Sequence, residues 1–418
     1  MSTPANAAVA IDGGELALGG GLLALVRPAL DLLAPGGVLA IRSRNAGLRD
    51  DLPAWCRVEH HDYFGVERDA DGADRHLVAR GGLGLPAGRR EAGFALAPSA
   101  EGERFTAATV LSAVPFPERA DPHSGFAPRG ARVEPGGPRY PFTLTERDRL
   151  APPEVAQLYD QAVAAHWDAA RDIPWAKIPR LPRALEAAVA QVMTFLAENE
   201  LSALYVPARF VPQIHPAYAE VAMFLATQLA DEARHIDAFL KRARAGGAGV
   251  GISAATTSHS LLTLLEARDF TEASFLLSVL GEGTFLDLLS FIEKHAPDEA
   301  TLELARRARR DEARHVHFGL AHLRHALAHD PSLPARFEAV VRERAARIPQ
   351  KAVPAHVQDA LTVLAAGDVT PSAIARGHEA FRGLLETMRE GRVKRLENAG
   401  LDREQAERLS ELHTPNFM

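Results

Sequence analysis

Two copies of one pentapeptide carry the clearest chemistry in this chain: Asp231-Glu232-Ala233-Arg234-His235 and Asp311-Glu312-Ala313-Arg314-His315. Of the 17 histidines, only His235 and His315 have a glutamate three positions earlier. On an α-helix that spacing puts a carboxylate and an imidazole on one face, one turn apart. Two such helices facing each other hold four ligands for a pair of metal ions inside a bundle. The rest of the chain must then supply further carboxylates and the helices that aim them.

Apolar stripes select those carboxylates. Around the first copy the stripe runs Val221, Leu225, Gln228, Glu232, His235, Phe239; around the second it runs Leu304, Ala308, Glu312, His315, Gly319. Each Glu-His pair replaces apolar residues on a buried face, which is costly unless the groups are hydrogen-bonded or bind metal. The same counting on the preceding helix selects Glu200, in line with Val192, Leu196, Ala203 and Leu204. It turns Glu198 towards solvent with Gln191, Thr194 and Ser202. On the third helix Phe275, Val279, Glu282, Phe285, Leu286 and Leu289 place Glu282 on the stripe, with Asp287 and Glu272 off it.

The separations fit helical hairpins. Glu200 and Glu232 are 32 positions apart, Glu282 and Glu312 are 30 apart, and Glu232 and Glu282 are 50 apart. The two shorter gaps suit half a helix up, a turn and half a helix down; the longer one suits a crossover. Four carboxylates and two imidazoles favour iron or manganese over copper or zinc. The competing reading is a metal-free polar core of paired Glu and His, disfavoured because buried charge without metal stabilises poorly.

The elements carrying these residues are helical throughout. Helices are expected over 153–166, 182–205 (ended by Pro207 and Pro212), 217–244, 261–268, 271–295 and 298–328. A helical tail follows over 334–348, 354–366, 371–398 and 402–413. Residues 85–150 are rich in Gly and Pro and read as a linker that wraps its neighbour. Residues 1–84 are mixed: a helix over 22–33, a buried strand over 38–43, a helix over 50–57, and paired strands over 63–67 and 75–80. The domain plan is thus 1–84 as a small α/β domain, 85–150 as linker, 151–345 as the bundle and 346–418 as a helical extension.

With 418 residues, 47% hydrophobic and 24% charged, the chain reads as an ordinary soluble protein. A net charge of -7 gives no support to nucleic-acid binding. The single cysteine, Cys56, rules out a disulfide within the chain and a four-cysteine iron–sulfur cluster, so electrons must come from an external donor. The apolar stretch 275–292 contains Glu282 and Asp287 and is too short and polar for a membrane span; the expected location is cytoplasmic.

Taken together, Glu200, Glu232-x-x-His235, Glu282 and Glu312-x-x-His315 resemble the ferritin-like di-iron carboxylate family, over residues 182–330. Glu200-Leu201-Ser202-Ala203 and the pentapeptides look most like its oxygenase and ribonucleotide-reductase-like branches. The resemblance implies a four-helix bundle with two iron ions (Fe/Mn or Mn/Mn as variants) and O2 activation on a small-molecule substrate; a homodimer stays open. It also implies Glu232 and Glu312 as bridging ligands, Glu200 and Glu282 as terminal ones, and one histidine per ion. Asp231 and Asp311 would accept from the histidine rings, and Arg234 and Arg314 would neutralise them.

Two positions depart from particular branches. Phe239 stands where the reductase branch has its radical tyrosine, and Ala308 stands where the N-oxygenase branch adds a histidine. Tyr205, Tyr218, Trp167 and Trp175 read as packing residues, and His317 and His322 as helix-surface histidines. Iron handling without an organic substrate, or non-enzymatic partner binding, are the alternative functions.

Residues 15–82 resemble the TusA/SirA-like sulfur-carrier family through Leu33-Ala34-Pro35-Gly36-Gly37-Val38-Leu39-Ala40-Ile41, Arg49 to Cys56 and the closing hairpin. The family's Cys-Pro-x-Pro motif corresponds to Gly19-Gly20-Gly21-Leu22 here, so the nucleophile is missing and the implied role is binding or docking. Cys56 lies elsewhere, at the end of the second helix, as a small buried residue.

Overall fold

The computed structural model describes residues 7–81, 106–131, 133, 136–150, 152–348 and 353–413. It forms two compact units, Met1–Ala97 and Pro98–Met418. Of the Gly/Pro-rich stretch 85–150, residues 85–105, 132, 134 and 135 lie outside the described residues.

Among its described residues the first unit is a four-stranded sheet in the order β1-β2-β4-β3, with two α-helices. The strands are β1 (Val9–Asp12), β2 (Val38–Ser43), β3 (Asp62–Arg68) and β4 (Asp74–Ala79); the helices are α1 (Leu23–Asp31) and α2 (Leu48–Val58). β1 pairs parallel to β2, whereas β2–β4 and β3–β4 are antiparallel. Central β2 is buried on both faces, which explains its unbroken apolar run. Leu39, Ile41 and Val78 pack with Val26, Leu52 and Cys56 of the helices, while Val38, Ala40, Leu77 and Ala79 form the opposite face. The sequence reading missed β1, a run of only four residues that alternates between half-buried and exposed and ends at Asp12.

The second unit is helical. Its first pieces are α3 (Ala107–Ser112) and α4 (Val155–Ala164). Two long helices follow, α5 (Arg183–Ala208) and α6 (Ala219–Ala245), then α7 (Ala255–Leu265) and α8 (Phe270–Ser274). A π-helical segment over Phe275–Glu282 runs directly into α9 (Gly283–His295), and α10 (Glu299–His329) returns. The tail is α11 (Leu333–Arg347), α12 (Ala355–Ala366), α13 (Pro371–Asn398) and α14 (Arg403–Leu412).

Two expectations about these helices are corrected. α5 does not stop before Pro207 but carries it in its last turn. The third bundle helix changes to π geometry across the eight residues that lead to Glu282, all of them buried, so no apolar-against-polar contrast marks its faces. The region Phe270–His295 is long and apolar enough to cross a membrane by composition, yet 83% of its most apolar window is buried inside the protein.

Polar anchors fix the bundle's ends. Arg242, fully buried, joins three helices: it donates to Glu186 of α5 at 2.8 Å and to Asp298 and Thr301 at the start of α10, both at 2.7 Å. Asp298 caps α10 through the Thr301 N–H at 2.8 Å. At the other end Arg129 binds buried Glu220 and the Leu111 and Ala217 carbonyls, and Tyr218 donates to the Pro117 and Thr145 carbonyls at 3.0 Å. Leu111, Pro117, Arg129 and Thr145 are thereby tied to the start of α6.

Candidate metal centre

α5 contributes Glu200, α6 contributes Glu232 and His235, the π segment ends on Glu282, and α10 contributes Glu312 and His315. All six are 0–1% exposed. Their ligand atoms form two groups, Glu200-Glu232-His235-Glu312 and Glu232-Glu282-Glu312-His315, within each of which the atoms lie within 4.8 Å of one another. Glu232 and Glu312 belong to both groups. His235 Nδ1 is 3.4 Å from Glu200, 3.5 Å from Glu232 and 3.3 Å from Glu312. His315 Nδ1 is 2.9 Å from Glu232 and 3.4 Å from Glu312.

The donor set fits a pair of cations. Eight buried atoms at the centre make no aligned hydrogen bond: Glu200 Oε1, both oxygens of Glu232 and of Glu312, Glu282 Oε2, and Nδ1 of both histidines. Leaving so many polar atoms unpaired in one place would be strongly destabilising unless something else binds them. Charge gives the same answer. Four glutamates and Asp231 and Asp311, set against Arg234 and Arg314, leave four negative charges in a buried space, the amount that two divalent ions balance.

Burial drives the Glu200 and Glu282 carboxyls well above the usual carboxylate range, and the neighbouring Glu232 and Glu312 push the same way. Burial opposes ionisation of Glu232 too, but there the two imidazoles win and hold it below that range. Burial pulls the imidazoles down, yet the surrounding carboxylates outweigh it and raise both. In the absence of metal, protons thus occupy the place of cations, and metal binding must displace them.

Each histidine turns Nδ1 to the centre and Nε2 to an aspartate, and the pairing is crossed. His235 Nε2 lies 3.1 Å from Asp311, and His315 Nε2 lies 3.3 Å from Asp231. Each arginine bridges both aspartates: Arg234 contacts Asp231 and reaches Asp311 at 3.0 Å, and Arg314 contacts Asp311 and reaches Asp231 at 3.1 Å. The four residues predicted around the histidines form one closed ring between α6 and α10.

Trp167, read from the sequence as packing, also joins this ring. Its Nε1 donates to Asp311 at 2.7 Å, its ring lies 6.3 Å from that of His235, and the Arg234 guanidinium sits 4.9 Å over it. Its position in a short connection without periodicity gave no sequence signal. Gln228, on the expected stripe, donates to Glu282 at 2.9 Å.

Several single-residue expectations change. Glu198 is half-buried rather than solvent-facing: it accepts from Ser253 at 2.6 Å. The polar face of α5 receives the chain after α6, where Gln191 exchanges hydrogen bonds with the Ile252 backbone at 2.8 and 2.9 Å and Thr194 accepts from Gly251 at 2.7 Å. His322 is not a surface histidine but fully buried, 3.1 Å from Thr271 Oγ1 and packed on Phe270; His317 is exposed. Leu286 is only half-buried, and Asp287 pairs with Arg395 at 3.3 Å, away from the centre. Glu272 is buried against the Arg268 N–H at 3.1 Å. Phe239 and Ala308 are fully buried, Tyr205 is exposed, and Trp175 donates to the Ala169 carbonyl at 2.9 Å.

No protein-family model and no curated protein matches the chain. Among solved structures it is similar to a variant of an R2-like ligand-binding oxidase with an aerobically reconstituted Mn/Fe cofactor, at 18% identity and a TM-score of 0.43, over 60% of this chain and 92% of that one. It is similar to an Fe/Fe-reconstituted variant at 18% identity and a TM-score of 0.44, over 60% and 93%. A form described after photoconversion matches at 17% identity and a TM-score of 0.42, over 61% and 88%.

Proposed function

We propose that the second unit is a ferritin-like di-metal carboxylate oxidase or oxygenase acting on a small molecule with O2, fed by an external electron donor. The observation that carries this reading is the convergence of eight unpartnered buried donor atoms from four helices. When bound, two iron ions, or a manganese–iron or manganese pair, would supply the redox chemistry. The chain's own part is geometric and electrostatic. Glu232 and Glu312 would bridge the ions; Glu200 and His235 would complete one site, and Glu282 and His315 the other. Asp311 and Asp231 accept the Nε2–H of His235 and His315 and so keep each Nδ1 lone pair aimed inward. Phe239, fully buried with its ring 6.2 Å from that of His235, helps keep bulk water out.

Metal content of the chain prepared with and without air, followed by O2 uptake after reduction, tests the reading. Two metal ions per chain and O2 consumption are expected; absence of metal from protein refolded with Fe(II) would overturn it.

A second reading, Fe(II) oxidation without an organic substrate, is favoured by the cavity beside Gln228 and Ser278. Its volume is about 10 Å3, the space of a single water. Product analysis separates the two: iron alone oxidised, or an added small molecule oxidised as well.

For the first unit we propose a TusA-like docking module without sulfur transfer. Gly19, Gly20 and Gly21 stand in place of a nucleophile, and burial pushes the Cys56 thiol up to about 12, so no reactive thiolate is available at neutral pH.

A further inference from the structure

A second cluster of metal-ligand residues lies at the far end of α10. His325 and His329 are four residues apart on that helix, one turn above each other, and Asp148 approaches from the short turn Arg147–Arg149. One ligand atom from each of the three lies within 4.8 Å of the others.

The two histidines are set up as ligands. His329 Nδ1 donates to the His325 backbone carbonyl at 2.8 Å, which leaves its Nε2 as the lone-pair nitrogen. That Nε2 lies 3.4 Å from Asp148 Oδ1. Tetrahedral coordination with bonds near 2.0–2.1 Å separates neighbouring ligand atoms by about 3.4 Å, so this edge already has its length. The rings of His325 and His329 are 4.7 Å apart between centroids, and His325 Nε2 is buried without a hydrogen-bond partner.

We propose that Asp148, His325 and His329 form a separate site for one divalent transition ion of the zinc class. Two imidazoles and one carboxylate are the donor set that such ions prefer, with a fourth position left for water. The site is independent of the bundle centre: His325 is ten residues beyond His315 on the same helix, about 15 Å along its axis. Asp148 and His329 stand at the wall of a cavity of about 410 Å3 that Arg149, Asp269 and Arg336 also line. An ion there would clamp the Arg147–Arg149 turn onto the end of α10 and close one side of that cavity.

The test is Zn2+ titration of the tag-free full chain, read by calorimetry and by metal analysis after desalting. Wild type should bind one Zn2+ more than His325→Gln/His329→Gln, and Glu232→Ala/Glu312→Ala should keep that one ion while losing those of the bundle. Co2+ in the same variants should give the intense visible bands of a tetrahedral site only where both histidines are present. Equal Zn2+ stoichiometry in wild type and in the histidine double variant would overturn the proposal, as would loss of the extra ion from the glutamate variant. Circular dichroism verifies folding. His329→Asn, at an exposed position, gives the same reading if the double variant melts early. Failure of the bundle to bind metal, with the histidine difference intact, would count against the oxidase reading alone.

Discussion

His235 Nε2 reaches across the bundle to Asp311, at 3.1 Å, rather than to Asp231 in its own pentapeptide. His315 and Asp231 make the reciprocal contact at 3.3 Å. The two copies of the motif therefore support each other's histidines, and neither helix can orient its histidine alone. A double-mutant cycle on metal affinity should show this. Asp311→Asn and His235→Ala should couple by about 1–3 kcal/mol, whereas Asp231→Asn with His235→Ala should be closer to additive. Asp311→Asn alone should weaken metal binding about 10–100-fold, since it removes the charge and one of the two oxygens that His235, Trp167 and both arginines share.

Loss of a shared ligand should differ from loss of an unshared one. Glu232 and Glu312 lie in both ligand groups, whereas Glu200 and Glu282 lie in one each. Metal analysis should find both ions gone in Glu232→Ala or Glu312→Ala. It should find about one ion retained in Glu200→Ala and in Glu282→Ala.

Gly319 sits one turn beyond His315, and a Cβ added there would come within 2.5 Å of the Ser278 Cβ. Ser278 in turn supports the Glu282 carboxylate. Gly319→Ala should therefore lower stability by about 1–3 kcal/mol and displace Glu282. Thermal melting should show the loss, and adding Ser278→Gly should restore most of the melting temperature.

His322 gives the fold an acid sensitivity apart from the metal centre. Burial, with His325 nearby, pushes it down to about 4 from an ordinary 6.5. Between those values the unfolded chain binds the proton and the folded one does not, so stability falls as pH falls through that window and is flat above it. The shift corresponds to at most about 3 kcal/mol. Urea unfolding from pH 7 to pH 4 should show this slope in wild type and a shallower one in His322→Gln.

Cys56, with its thiol pushed up to about 12 by burial, should resist alkylation. Iodoacetamide at pH 8 should leave it unmodified in the native chain and label it within minutes in denaturant. Rapid native labelling would contradict the absence of sulfur transfer proposed for the first unit.

The bundle was legible in the sequence because the buried Glu and His residues at its centre interrupt apolar stripes. Val221, Leu225 and Phe239 mark the buried face of α6, and Glu232 and His235 stand out against them. The crossed aspartate pairing was not legible, because helical periodicity fixes which face a residue is on and says nothing about its partner across the interface. Trp167 escaped for a related reason: it reaches the centre from an irregular connection that has no face to count. Glu198 and the polar residues around it look like a solvated face in one dimension. Only the fold shows that Gly251 and Ile252 return to fill their hydrogen bonds. His322 shares a helix with exposed neighbours, and its burial depends on Phe270 and Thr271, some fifty positions earlier.

If the bundle centre binds two divalent ions as proposed, its charge imbalance would tie the lifetime of the protein to metal supply. A folded chain that binds an ion its unfolded form does not is stabilised by mass action, by about 1.4 kcal/mol per site for each tenfold excess of free metal over the dissociation constant. Against a total stability typically of about 5–15 kcal/mol, two occupied sites can decide whether the chain persists or is degraded. Cells starved of the metal would then hold less of the protein, without any change in its synthesis.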